Sequence, residues 1–314
     1  MVEFAVSVQS FRDLCLAEEP WLPFSRQNPM EAELQEVFFQ EWAAAFAKPK
    51  RPERIYFGSE FCQYRLPPLS LVKKALAYCR ESGFAFTFAT PYAHREKFTQ
   101  LVSILAYLDG AAASTGERVE VVVNDWGVYH HIQTHLPRLD VVIGRLLNKT
   151  IRDPRVAHYY ANDKAPEEGR KFFQRTGLLS AWFQTFLQRG NVVGLDFDEL
   201  IQGNEVPSMK EWEAPLLTSF HFPFGCVASG SACMVGFMET AKAGKFRGDP
   251  KCKQECQRYV YELKNRQHSD MQTRIVQKGT TAFYAHTREL VRSGLRGVQA
   301  VERPRVVYSP RIPV

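Results

Sequence analysis

Seven cysteines are spread over 314 residues, and four of them, Cys226, Cys233, Cys252 and Cys256, crowd together as C-x6-C-x18-C-x3-C. Thiolates are soft ligands, and four of them can hold a zinc ion or an iron–sulfur cluster. Structural zinc sites usually pair cysteines about two to four residues apart, in a tight turn around one ion. Only Cys252 and Cys256 meet that spacing. The gap between Cys226 and Cys233 is too wide for a zinc knuckle, so the pattern favours a cluster. Four unrelated, buried cysteines are the bland alternative. A fifth, Cys62, sits just beyond a short apolar run ending at Gly58. If that run is a strand of a parallel barrel, Cys62 lies at the same end as Cys226 and Cys233. Cys15 and Cys79 fall in helical patterns and read as packing residues. An odd, sparse set of this kind does not make a disulfide framework. The spacer 234–251 carries Lys242, Lys245, Arg247 and Lys251, and Lys253 follows. Such charges can offset a thiolate-bound cluster.

Other polar residues cluster at the ends of apolar runs, where a parallel barrel places its chemistry. They are Glu60, Gln63, Arg65, Asn124, Asp125, Arg145, Asp196, Asp198 and His221. Arg145 can pair bidentately with a substrate carboxylate. It can equally close a barrel mouth by pairing with Asp125 or Asp196. Asp196 suits a general base or a partner that orients Arg145. His221, between two phenylalanines, suits a catalyst or a satisfied buried histidine. Asn124 and Asp125 fit a helix N-cap before Trp126. His130 and His131 read as helix surface. No H-E-x-x-H or G-x-S-x-G motif is present, so proteolysis has little residue support. The basic segments 145–155 and 242–253 suit RNA phosphates or a solvated face.

These residues need a frame, and the sequence alternates short strand-like runs with helical stretches. Strands are expected at 2–8, 54–57, 84–89, 118–123, 139–143, 191–195 and 215–222, with weaker ones at 274–277 and 298–301. Helices are expected at 30–47, 69–81, 95–113, 128–135, 179–188 and 283–292. A long insertion occupies 146–190. About eight β/α units in one chain predict an α/β fold, a TIM-barrel-like (β/α)8 barrel with the cysteine-rich segment at its C-terminal mouth. An open doubly wound sheet lacks its glycine-rich phosphate turn here. The expected organisation is one barrel over 1–302 and an extended surface tail over 303–314, which holds three prolines including Pro304. The chain carries 40 Lys and Arg against 34 Asp and Glu and is 45% hydrophobic, which excludes disorder and low complexity. It has no apolar run long enough to span a bilayer and no signal-peptide pattern, so a soluble cytoplasmic protein is expected.

The run Cys226–Cys233 (CVASGSAC), followed by Cys252-x3-Cys256, resembles the cysteine signature of the collagenase-like peptidase family U-thirty-two. The stretch 55–62 (IYFGSEFC) is similar to the first barrel motif of the family's UbiV-type members, iron–sulfur proteins of anaerobic ubiquinone hydroxylation. Diffuse similarity extends through 121–127, 144–155, 194–197 and 220–224. The resemblance implies a 4Fe–4S cluster on Cys233, Cys252, Cys256 and a fourth cysteine. UbiV-type members use the position of Cys62 and lack the first cysteine of the C-x6-C pair. This chain has both, so the fourth ligand stays open between Cys62 and Cys226. Its 18-residue spacer is also longer than usual, and Ser231-Ala232 stand where an arginine often precedes the second cysteine.

The family is named for proteolysis, but its better-understood branches hydroxylate without oxygen. They act on ubiquinone precursors or RNA bases, with prephenate as hydroxyl donor. The resemblance thus implies a carboxylate donor and a protein partner, as a heterodimer or homo-oligomer, with RNA as one class of substrate. A cluster that staples a binding or scaffold subunit, and a true protease, are the alternative readings.

Overall fold

β-Branched and aromatic runs alternate with capped helices, and this rhythm sets the strands side by side. The computed structural model describes residues 1–314 except 24–26, 48–49, 161–164, 207–215, 239, 241–251 and 265–272. The chain begins with β1 (Glu3–Val8), α1 (Pro29–Phe46), β2 (Arg54–Gly58), α2 (Leu69–Glu81) and β3 (Ala85–Ala89). It continues through α3 (Arg95–Thr115), β4 (Val119–Val123), α4 (Trp126–His135) and β5 (Leu139–Ile143). The insertion folds as α5 (Pro154–Tyr160), α6 (Glu167–Gln174) and α7 (Ala181–Gln188). β6 (Val192–Asp198), β7 (Leu217–Phe222), β8 (Phe224–Ser229), β9 (Tyr261–Leu263), β10 (Ile275–Lys278) and β11 (Thr281–Ala285) follow. The last elements are α8 (Arg288–Val298) and β12 (Pro304–Tyr308).

Eight strands close into a parallel barrel in the order β1, β2, β3, β4, β5, β6, β7, β12. The expected α/β, (β/α)8-like barrel is the observed one. The main apolar core lies outside the strands, where residues such as Val6, Ile55, Phe57 and Val121 meet the helices. Helix starts follow their capping residues. Asn28 and Glu31 form a capping box before α1, with Pro29 at the first position. Thr287 caps α8, whose Leu290, Val291, Leu295 and Val298 are buried. Gly58 and Gly144, both at strand ends beside the site, are required by close approach. At Gly58, with φ of 143°, a Cβ would lie 2.2 Å from the Ala89 carbonyl oxygen. At Gly144 it would lie 2.3 Å from Asn124 Oδ1.

The expected surface tail over 303–314 is corrected. Pro304–Tyr308 is a buried barrel strand, hydrogen-bonded between β1 and β7. Proline suits its first position, where no ladder N–H is needed. The weaker strand expected at 274–277 exists, but in a second sheet of order β8, β11, β10, β9, with antiparallel pairing. The strand expected at 298–301 is instead the end of α8 and its following turn. The helix expected at 283–292 begins at Arg288, because Thr281–Ala285 is strand β11. Residue 215, part of the expected strand 215–222, lies outside the described residues.

The barrel interior is polar where bulky branched residues usually fill it. Arg305 on β12 donates to both Glu120 oxygens on β4, at 2.6 and 3.1 Å, and to Glu3 on β1 at 2.8 Å. Arg54 bonds Glu3 at 2.7 Å and Thr87 at 3.0 Å. Burial pushes the Glu120 carboxyl up, but Arg305 and Arg54 outweigh it and hold it down at about 2. Above this layer sit the small residues Ala5, Ala89, Val122, Val142 and Val307 around Tyr56. Tyr56 accepts from Arg305 at 2.7 Å and lies 3.5 Å from Asp196, joining the lower charged layer to the mouth.

Candidate functional site

Two polar centres share the C-terminal end of the barrel, and the loop after β2 feeds both. Gly58 turns the chain so that Ser59, Glu60, Phe61 and Cys62 fold over the strand ends. Ser59 Oγ donates to the carbonyls of Cys62 (2.9 Å) and Val314 (2.7 Å), which fixes the loop against the last residues of the chain.

The first centre is a cysteine pocket. Cys62, Cys256 and the partly exposed Cys233 pack together with Val235, Val314, Tyr64 and Tyr261. Cys252 is near enough to the other three to act on their thiols electrostatically. Burial pushes the Cys62 thiol up to about 12 and raises those of Cys233 and Cys256. Backbone N–H groups point at sulfur. Gly236 donates to Cys233 at 3.2 Å and Gln254 to Cys252 at 3.4 Å. Gln254 adopts a left-handed backbone, with φ of 58°, to do so. Its side chain is held by Arg65 at 2.8 Å and by the Tyr64 carbonyl at 3.1 Å. Arg65 and Lys278 bring positive charge to Cys256. The basic residues expected to do this in the spacer, Lys242, Lys245, Arg247 and Lys251, lie outside the described residues.

Cys226 stands apart. It is buried on β8 in an apolar cluster with Met30, Phe61, Phe224 and Phe283, and its N–H bonds Asp198 at 3.1 Å. Burial pushes its thiol up to about 12 as well. Cys62 therefore joins Cys233, Cys252 and Cys256 in space, and Cys226 does not. Cys79 is buried in the main core, while Cys15 is exposed.

The described donor set fits a centre larger than one metal ion. A zinc ion with bonds of about 2.3 Å would hold its thiolates roughly 4 Å apart. Among the described residues, the only trio of ligand atoms within 4.8 Å of one another is elsewhere, so no three of these sulfurs are that close. Four thiols, N–H donors to sulfur and two nearby cations suit an anionic iron–sulfur cluster.

The second centre is the charged mouth. Arg145, fully buried, donates to Glu60 at 3.1 and 2.8 Å, to Asp198 at 2.9 Å and to the Phe224 carbonyl at 3.2 Å. Arg152 pairs with the other Asp198 oxygen at 3.2 Å. Burial raises the carboxyls of Glu60 and Asp198, but the arginines outweigh it and leave both below the usual range. The expected pairing of Arg145 with Asp125 or Asp196 is thus corrected to Glu60 and Asp198. With these partners in place, its guanidinium is committed to closing the mouth and is not presented to a substrate carboxylate. Asp196 and His221 lie beneath, with His221 Nε2 3.0 Å from Asp196 Oδ2 and Nδ1 4.0 Å from Glu60 Oε1. Asp125 caps α4 through Gly127 (2.7 Å) and Val128 (3.1 Å), as its N-cap reading expects. Asn124 bonds the Thr90 carbonyl and the Leu146 N–H, and Gln63 accepts from the His94 N–H. These are structural roles.

Of the basic segment 145–155, Arg145 and Arg152 turn inward, so it does not form a continuous RNA-facing stripe. Residues 242–251 lie outside the described residues. Sequence reasoning did not find Tyr56, Arg305, Lys278 or Val314 as parts of these centres. Arg305 next to Val306-Val307 was the available signal, since a charged residue alternating with β-branched ones marks a two-faced strand.

Two cavities open nearby. One of about 730 Å³ runs beside the cysteine pocket and includes Arg65, Gln254, Cys256, Lys278 and Val314 in its wall. The other, about 510 Å³, lies beyond the ends of β3, β4 and β5, between Tyr92, Trp126, Leu146, Leu147, Lys149 and Ser229. Ser229 Oγ bonds Thr281 Oγ1 at 2.7 Å and has no histidine partner, so no serine nucleophile is assembled there.

No protein-family model matches the chain, and no curated protein does. Among solved structures, the U32 peptidase Mk0906 is similar over 100% of this chain and 95% of its own, at 13% identity and a TM-score of 0.39. That likeness is too weak to carry anything about this chain's activity. What the structure itself defines is a protein of the (β/α)8-barrel class with a pocket beside its mouth that packs Cys62, Cys233 and Cys256 together, Cys252 lying close by. No helix among the described residues is long and apolar enough to cross a membrane.

Proposed function

We propose that the chain is an iron–sulfur protein in which Cys62, Cys233, Cys252 and Cys256 hold a 4Fe–4S cluster. The observation that carries this is that Cys62, Cys233 and Cys256 pack in one pocket, with Cys252 close enough to act on all three thiols and with backbone N–H groups donating to Cys233 and Cys252. The proposed biological role is oxygen-independent hydroxylation of a quinone precursor or RNA base, with a prephenate-type carboxylate as hydroxyl donor. In that role the chain is the cluster-bearing member of a pair with another protein. When bound, the cluster supplies one-electron chemistry. Four protein ligands would leave no iron open to a donor, which favours electron transfer over donor binding at the metal. The protein's own residues supply the rest. Ser59 holds the loop that carries Cys62, Val314 and Tyr64 limit water, and Arg65 and Lys278 balance charge. The cleft walled by Tyr92 and Trp126 suits a flat aromatic ring, and its volume is that of a small-molecule site.

The four-cysteine set also favours a second reading, a structural staple. One comparison separates the two. Quinone intermediates and modified RNA nucleosides are analysed by mass spectrometry from anaerobically grown cells with and without this protein. Loss of a single hydroxylated species, restored by the wild-type chain, supports the hydroxylase. Unchanged quinone and nucleoside profiles overturn it and leave the staple.

A further inference from the structure

Three carboxylates, Glu60, Asp196 and Asp198, face two guanidiniums, Arg145 and Arg152, inside the barrel mouth. The arginines are spent on Glu60 and Asp198. Asp196 receives no guanidinium; its oxygens meet Tyr56 at 3.5 Å and His221 at 3.0 Å. Counted against the guanidiniums alone, the three carboxylates leave one formal negative charge over, and none of them is more than 4% exposed. A buried charge without a counter-charge costs several kcal/mol, so such sites acquire a partner. Asp196 Oδ2 and His221 Nε2 approach to 3.0 Å without making a hydrogen bond, and His221 Nδ1, buried 4.0 Å from Glu60, has no hydrogen-bond partner. One donor atom each from Glu60, Asp196 and His221 lies within 4.8 Å of the others.

We propose that Glu60, Asp196 and His221 bind a divalent transition-metal ion at the top of the barrel, separate from the cysteine pocket. Two carboxylates and one imidazole suit manganese, ferrous iron or zinc, whereas calcium prefers oxygen ligands throughout. The surrounding residues already do what a second shell does. Arg145 orients Glu60 through both oxygens, and Tyr56 holds Asp196 from below. An ion there would act as a Lewis acid toward an oxygen-bearing ligand at the mouth.

Manganese is the probe, because it prefers oxygen and nitrogen to thiolate and is distinct from cluster iron. The protein, purified without oxygen, is titrated with Mn2+ while EPR follows loss of the free-ion signal. About one tightly held ion per chain is expected. Asp196→Asn and His221→Asn should each raise the dissociation constant about ten-fold or more. Pulsed EPR of the wild-type complex should show coupling to an imidazole nitrogen, a readout that needs no variant to fold. No uptake overturns the proposal. Uptake that both variants preserve, or a complex without nitrogen coupling, also overturns it.

Discussion

Glu199 shows how much a single buried group can shape stability. It follows Asp198 at the end of β6, and burial pushes its carboxyl up to about 8, against a weak hydrogen bond from Asn204 at 3.5 Å. The folded chain keeps this proton to about pH 8, while the unfolded chain releases it near 4.5. Stability should therefore fall as pH rises through that window, by up to about 5 kcal/mol. Glu199→Gln should remove this contribution, so its urea midpoint should exceed wild type at pH 8 and match it near pH 4.5. Equal slopes in both proteins would refute this. His286 works in the opposite direction. Burial lowers its imidazole to about 3, and neither ring nitrogen is hydrogen-bonded. Its contribution is intact above about pH 6.5 and is lost as pH falls toward 3.

At the scale of elements, β12 carries the clearest lesson. Its sequence, PRVVY, opens with proline and a charge, and those features read as surface in a chain of unknown topology. The barrel gives them other uses: Pro304 begins the strand, and Arg305 reaches Glu3, Glu120 and Tyr56 across the interior. Arg305→Met should leave Glu120 without its main counter-charge and cost about 3–5 kcal/mol in chemical denaturation. Adding Glu120→Gln should recover part of that loss. A neutral single variant would show that the interior pair contributes nothing. Seven barrel strands were legible because their apolar runs are long or β-branched, as in Val119–Val123. Of the second sheet only Ile275–Lys278 was legible, and its pairing was not, because antiparallel pairs from an insertion leave no mark in a β/α rhythm. The same limit hid the fourth cysteine. Cys62 and Cys226 both follow barrel strands, but the chain after β7 turns into β8 and carries Cys226 away from the pocket.

For the whole molecule, the cysteine pocket joins parts that the barrel does not hold together: the loop after β2, the segment between β8 and β9, and the residues around Val314. If a cluster occupies it, removing iron should lower the melting temperature by several degrees while the barrel's circular dichroism persists. An unchanged melting temperature would argue against a staple. The most direct measurement is iron and acid-labile sulfide content, with an absorbance spectrum, on protein purified without oxygen, alongside Cys62→Ala and Cys226→Ala. About four irons and four sulfides per chain are expected in wild type and in Cys226→Ala, with the cluster lost from Cys62→Ala. Zinc or no metal in wild type, or loss in Cys226→Ala with retention in Cys62→Ala, would contradict the assignment.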